Sequence, residues 1–176
     1  MTTHDSVSVL SRALDQAGDV LAAVRADQLQ LPTPCEEWTV EQLVRHLLAD
    51  PTNFVTMMNG EQPDWAAEPP LPEDWAGEFR ARADDLIHLW HQREVGSGDG
   101  PPPDMQTAEF AVHAWDLARA IGWDGELDPA VAEAGLSFMS ASLKPEMRGG
   151  AFAEEVPVAA DAPVYDRLVA FSGRTP

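Results

Sequence analysis

Residues 108–122, AEFAVHAWDLARAIG, constrain this chain more than any other stretch. They contain no proline and no internal glycine, and alanine recurs through them, so they predict a helix. At 100° per residue, Glu109, His113, Asp116 and Ala120 fall in a stripe about 60° wide. Phe110, Ala114, Leu117 and Ile121 form an adjoining apolar stripe, and Ala111, Trp115 and Ala118 lie opposite, with Arg119 the main charge there. A helix apolar almost all round is a buried one. A carboxylate and an imidazole one turn apart inside it must be paired or must hold a ligand.

Residues at i and i+4 carry Cβ atoms about 5–6 Å apart and point the same way, so Glu109 and His113 can reach one cation. A third ligand has to come from another helix. Of the other histidines, His4 belongs to an expected frayed terminus, and His88 and His91 fall on a charged helix. His46, in TVEQLVRHLLAD, is the best remaining candidate. The plainer accounts are a satisfied core histidine at His46 and an i,i+4 ion pair between Glu109 and His113, which the apolar surroundings disfavour.

The remaining segments are helical as well. Val7, Leu10, Leu14, Ala17, Leu21 and Val24 are spaced by threes and fours, giving a first amphipathic helix. LPTPCEEW then forces an extended turn. Thr39-x-x-Gln42 is a capping box opening a second helix with Leu43, His46, Leu47 and Asp50 inward. Pro51 is expected to kink that helix or to restart it with Asp50 as N-cap. Residues 60–72 read as an irregular connection. Residues 74–94 form a third helix along Trp75, Phe79, Ala83, Leu86 and Trp90, and residues 95–103 form a loop. Asp104 is the expected cap of the fourth helix and Gly122 its C-terminal stop. Asp128-Pro129 restarts a helix carrying Val131, Leu136 and Met139 to about Pro145. A loop over 148–163, with a weak strand-like alternation at 155–159, leads to a short helix over 164–171.

Composition narrows the function. Thirty acidic residues against 11 basic give a net charge of −19, which argues against nucleic acid and anionic membranes as partners. No apolar run approaches the ~20 residues a membrane span needs. The first residues show no basic n-region or cleavage signal, so a cytoplasmic location is expected. One cysteine, Cys35, excludes an internal disulfide; with no positive charge near it in sequence, it reads as structural. Trp38, Trp75, Trp90 and Trp115 read as core, Asp116 as a hydrogen-bonding neighbour of the site, and Arg174 as exposed tail, with a grip on an anionic substrate the lesser reading.

Taken together, TPCEEWTVEQLVRHLL, TAEFAVHAWDLARAIG and the terminal DRLVAFSGRTP resemble one actinobacterial family of the DinB/YfiT-like superfamily. They are similar to the N-terminal, metal-binding domain of mycothiol-dependent maleylpyruvate isomerase. The resemblance implies an all-α fold, a four-helix bundle with a short C-terminal helical extension. It also implies a divalent metal, usually zinc, held by His46, Glu109 and His113. On this reading residues 1–127 form the metal-binding bundle and residues 128–176 an extension packed on it, where the isomerase has a sizeable second domain. Maleylpyruvate is therefore not carried over as substrate.

Two histidines and a carboxylate leave positions open on a metal, as catalytic rather than structural sites do. The same set suits ferrous iron. A thiol there would lose its proton, so the leading expectation is a mycothiol-dependent S-transferase or isomerase acting on a small electrophile. A metal-dependent hydrolase and a non-catalytic metal-binding or stress-response module are the alternatives. No general base is assigned, roles for Asp50, Asp116 and Arg174 are open, and monomer and homodimer are both compatible with the sequence.

Overall fold

The computed structural model describes residues 3–35, 37–64, 67, 70–93, 100–148 and 152–176. Six α-helices carry the chain: α1 (Thr3–Ala23), α2 (Val40–Met58), α3 (Trp75–Gln92), α4 (Pro103–Ile121), α5 (Pro129–Ser142) and α6 (Val164–Phe171). Most of the expected 95–103 loop, and parts of the 60–72 and 148–163 connections, lie outside the described residues. Among the described residues there is no strand, and 155–159 is irregular. The fold is an all-α, DinB-like bundle. No helix among the described residues is long and apolar enough to cross a membrane.

The four principal helices pack in a ring, with α1 against α3 and α4 and α2 against α3 and α4; α5 covers a further side of α4, and α6 lies on α5. Contact from α1, α2 and α5 explains why α4 is buried from Gln106 to Ala118 on every side except at Glu109. Its middle meets the aromatic core edge-to-face, with the Phe110 ring 5.8 Å from Phe54 and 6.0 Å from Phe79. Burying side chains of this size stabilises by about 1.5–3 kcal/mol each.

The local chemistry explains several helix ends. Thr39 Oγ1 accepts from Gln42 N while Gln42 Oε1 accepts from Thr39 N, closing the expected capping box. Asp74 and Asp128 cap α3 and α5. Gly122 ends α4 in the left-handed conformation at φ 66°.

Several expectations need correction. Pro51 neither breaks nor restarts α2: it lies inside one continuous helix, so Asp50 is no cap and turns inward, buried. A proline removes one backbone donor, and Arg82 of α3 donates to the nearby Leu48 carbonyl at 2.8 Å, bracing α2 at this point. Asp104 does not cap α4 either. Pro102 is the N-cap and Pro103 the first helical residue, its φ already set for the helix, which leaves Asp104 inside the first turn. The helix of α1 already includes His4.

Candidate metal centre

Three elements deliver the site: the middle of α2, the first half of α4 and the loop before α2. His46, Glu109 and His113 come together, the i,i+4 pair of α4 meeting a histidine from α2. Glu109 Oε1 lies 2.9 Å from His46 Nε2 and 3.1 Å from His113 Nε2, so both imidazoles aim the same nitrogen at one oxygen. Donor atoms on a tetrahedral ion with bonds of 2.0–2.1 Å would stand about 3.3 Å apart. The three side chains therefore sit close to ligand spacing. His88 and His91 are exposed on α3.

Partners hold each imidazole. His113 Nδ1–H donates to Asp116 Oδ2 at 3.2 Å, which turns Nε2 toward Glu109. Asp116 is fully buried and is gripped on both oxygens by Arg174, Nε to Oδ1 at 3.2 Å and Nη2 to Oδ2 at 2.9 Å. On α2, Asp50 Oδ2 lies 3.1 Å from the same His46 Nε2 that faces Glu109. One N–H cannot serve both carboxylates, and Asp50 Oδ2 is left buried without a hydrogen bond. Trp38 covers the pair of histidines, its ring 4.5 Å from His46 and 5.6 Å from His113.

The electrostatics are those of a site overloaded with carboxylate. Burial alone would push His46 toward the neutral form, but Asp50 and Glu109 outweigh it and raise its pKa to about 10. His113 follows: burial opposes its charge, Glu109 and Asp116 prevail, and its pKa rises to about 9. Burial lifts Glu109, yet the two histidines hold it far below the usual carboxylate range. Asp50 is raised, burial outweighing His46. A divalent ion would replace the protons these carboxylates now draw onto the histidines.

His46, Glu109 and His113 floor a cavity of about 740 Å³. Cys35 and Trp38 supply one wall from the loop before α2, where the Thr33 hydroxyl lies 2.8 Å from the Trp38 carbonyl and 3.0 Å from that of Cys35. The opposite wall comes from Phe138, Met139 and Leu143 of α5, Phe152, and Ser172 to Arg174.

Arg174 departs from its sequence reading, and the surroundings of Cys35 and Trp38 add to theirs. Arg174 is buried, 7% exposed, and paired with Asp116 rather than loose in the tail. A left-handed turn at Gly173 (φ 92°), packed against Ala153, sends the chain back toward the bundle. Arg174 also places a positive charge near Cys35, contrary to expectation. Burial nevertheless dominates and raises the Cys35 thiol, so an unactivated cysteine stands. Cys35 Sγ does lie within 4.8 Å of donors on His113 and Asp116, a second trio of possible ligands. Trp38 packs, partly buried, against the core and also forms a wall of the cavity. Long-range pairing gives no periodic signal, so nothing local in the sequence places Arg174 beside Asp116.

Fold and site together define a helical bundle with a cluster of two histidines and one carboxylate at the base of a cavity. The chain belongs to the mycothiol maleylpyruvate isomerase N-terminal domain family, whose model matches residues 10–118. It is 34% identical over 187 aligned positions to an uncharacterized protein of Mycobacterium tuberculosis strain CDC 1551 / Oshkosh, covering 97% of this chain and 98% of that protein. An uncharacterized protein of strain H37Rv is similar to the same extent. No solved structure matches. The family match takes in the whole candidate trio but stops before α5 and Arg174.

Proposed function

We propose that this protein is a divalent-metal-dependent thiol transferase that joins mycothiol to a small electrophile in the cytoplasm, with His46, Glu109 and His113 holding the ion, zinc being the expected metal. The observation that carries the reading is the approach of two Nε2 atoms to one Glu109 oxygen, at 2.9 and 3.1 Å, on the floor of a cavity. The buried, unbonded Asp50 Oδ2 beside His46 fits it, because excess carboxylate at that point suits a cation. An ion held there supplies Lewis acidity that favours the thiolate form of an incoming thiol.

The protein's own groups do the rest. Asp116 fixes the His113 tautomer so that Nε2 is free for the ion. Trp38 and the apolar side chains of α5 hold water away from the reacting sulfur. Residues 128–176 act on this reading as an extension that completes the pocket of the 1–127 bundle rather than as a separate unit. Isomerisation would begin from the same thiolate, adding to an alkene instead of displacing a leaving group.

The test is metal analysis of the purified protein, followed by consumption of mycothiol against monochlorobimane with and without EDTA. Transfer should need both metal and thiol and return on adding zinc. Full activity in the metal-free protein would end the proposal. Metal-dependent ester hydrolysis indifferent to thiol would assign the site to a hydrolase instead.

A further inference from the structure

The cavity above the cluster differs in its walls from one built for an anion. Met105, Val112, Phe138, Met139, Leu143 and Phe152 line it, while Glu37 stands at the rim and Glu109 on the floor. Among the described lining residues Arg174 is the only lysine or arginine, and the chain has no other basic residue outside the described set. Arg174 is committed. Its Nε and Nη2 bind both Asp116 oxygens at 3.2 and 2.9 Å, and Nη1 donates to the Ser172 carbonyl at 3.2 Å. Turning it toward a ligand would strand Asp116, a fully buried carboxylate, without its countercharge.

Charge around the floor points the same way. Asp50, Glu109, Asp116 and Glu37 bring four carboxylates, more than Arg174 together with either the two imidazolium groups or a bound divalent ion can offset, so no positive excess remains at the cavity. The chain as a whole carries −19, which repels anions at longer range. Met105 is informative as well: 39% exposed, it lies one turn before Glu109 on α4 and presents a thioether at the cavity wall. A site for carboxylates would gain from a cation at that position.

We infer that the electrophile accepted here is neutral and apolar, and that carboxylate-bearing electrophiles are rejected by the cavity walls. The inference rests on the transferase reading for the reaction, but the selectivity belongs to the pocket and is measurable without turnover. In the reaction used as probe, sulfur forms the S–C bond at a benzylic carbon, the C–Br bond breaks, bromide leaves with its electron pair, and the thiol proton passes to buffer.

Binding comes first. Calorimetric titration of the purified metal-loaded protein with methyl 4-methylbenzoate and with 4-methylbenzoate should give at least about tenfold tighter binding of the ester, a preference typical of one misplaced charge at an apolar site. Mycothiol transfer onto methyl 4-(bromomethyl)benzoate, against 4-(bromomethyl)benzoate, should show the same preference after each rate is divided by its uncatalysed rate. Met105→Lys, a change at a partly exposed position, should narrow the gap at least threefold by strengthening acid binding. Acid bound as tightly as ester, or no saturable binding of either, would overturn the inference, and an unchanged gap in Met105→Lys would overturn the charge argument behind it. Discrimination in binding with no acceleration of either bromide would sink the transferase proposal and leave the pocket's selectivity standing.

Discussion

Phe110 and Glu109 are neighbours on α4, yet they face regions built on different rules. On the Phe110 side the aromatic rings of Phe54 and Phe79 close an apolar core in which shape and volume decide the fit. On the Glu109 side the neighbours are ionisable, and charge decides which atoms can sit together. The first region stabilises the bundle and tolerates like-for-like apolar exchange. The second brings carboxylates together with little to gain for the fold, since buried ion pairs contribute weakly at best to stability. Such an arrangement makes sense when a ligand completes it. The two regions should therefore separate cleanly under mutation.

The largest effects should show that separation. Phe110→Ala should cost about 3–5 kcal/mol of unfolding free energy by leaving a cavity among rings, with metal affinity unchanged in the protein that remains folded. His113→Ala should do the reverse, weakening metal binding by more than the roughly 100-fold that loss of an outer partner costs while the apo helical circular dichroism persists. Chemical denaturation and competition with a zinc chelator measure the two quantities. A Phe110→Ala protein that lost metal affinity as His113→Ala does would erase the distinction.

Next in size is the outer partner itself. Asp116→Asn keeps the volume but removes the carboxylate that orients His113 and pairs with Arg174. Metal affinity should fall about 10- to 100-fold, with a smaller shift in a cobalt-substituted absorption spectrum than His113→Ala produces. Unaltered affinity would mean that His113 is held by packing against Trp38 alone.

Much of the Phe110 side was legible in the sequence, and only half of the other. Apolar periodicity, the Thr39–Gln42 box, Asp128-Pro129 and Gly122 are local signals, and local signals place helices. The i,i+4 spacing of Glu109 and His113 is local too. His46 required elimination and a family resemblance, because nothing in one helix says which face of another it meets. Arg174 is the clearest gap: its bond to Asp116 spans 58 residues, and its burial depends on the turn at Gly173. Pro51 misled for a related reason, since local sequence alone does not say whether a proline ends a helix or sits inside one.

A smaller and graded effect should come from pH. The folded cluster holds protons on His46 to about 10 and on His113 to about 9, against 6.5 for ordinary histidine. A raised pKa means the native state binds the proton more tightly than the unfolded chain. The resulting stabilisation of the metal-free protein is full below about pH 6.5 and is lost as pH climbs through the folded values. Glu109 works in the opposite sense, contributing above its usual range and losing that contribution in acid. The melting temperature of EDTA-treated protein should thus decline from near neutrality toward pH 10. The increment given by zinc should grow over the same interval, because the ion displaces those protons. An alkaline flank that stays flat in the apo protein would place the histidines in a neutral, unpaired state.

The smallest effect sharpens the boundary of the charged region. Cys35 lines the cavity, and its Sγ lies within 4.8 Å of donors on His113 and Asp116, which makes a rival trio of ligands. Two facts count against it. Asp116 has both oxygens engaged by Arg174, and burial raises the Cys35 thiol despite that arginine. A thiol kept protonated is neither a nucleophile nor a good ligand at neutral pH. The attacking sulfur should therefore belong to the small-molecule thiol. Cys35→Ser should leave both zinc affinity and the transfer rate within about twofold of the parent, the range of a near-neutral substitution. Chelator competition and the bimane assay on the same preparation measure both. A loss beyond tenfold in affinity would move the ion toward Cys35, His113 and Asp116. The same loss in rate alone would make Cys35 part of the chemistry.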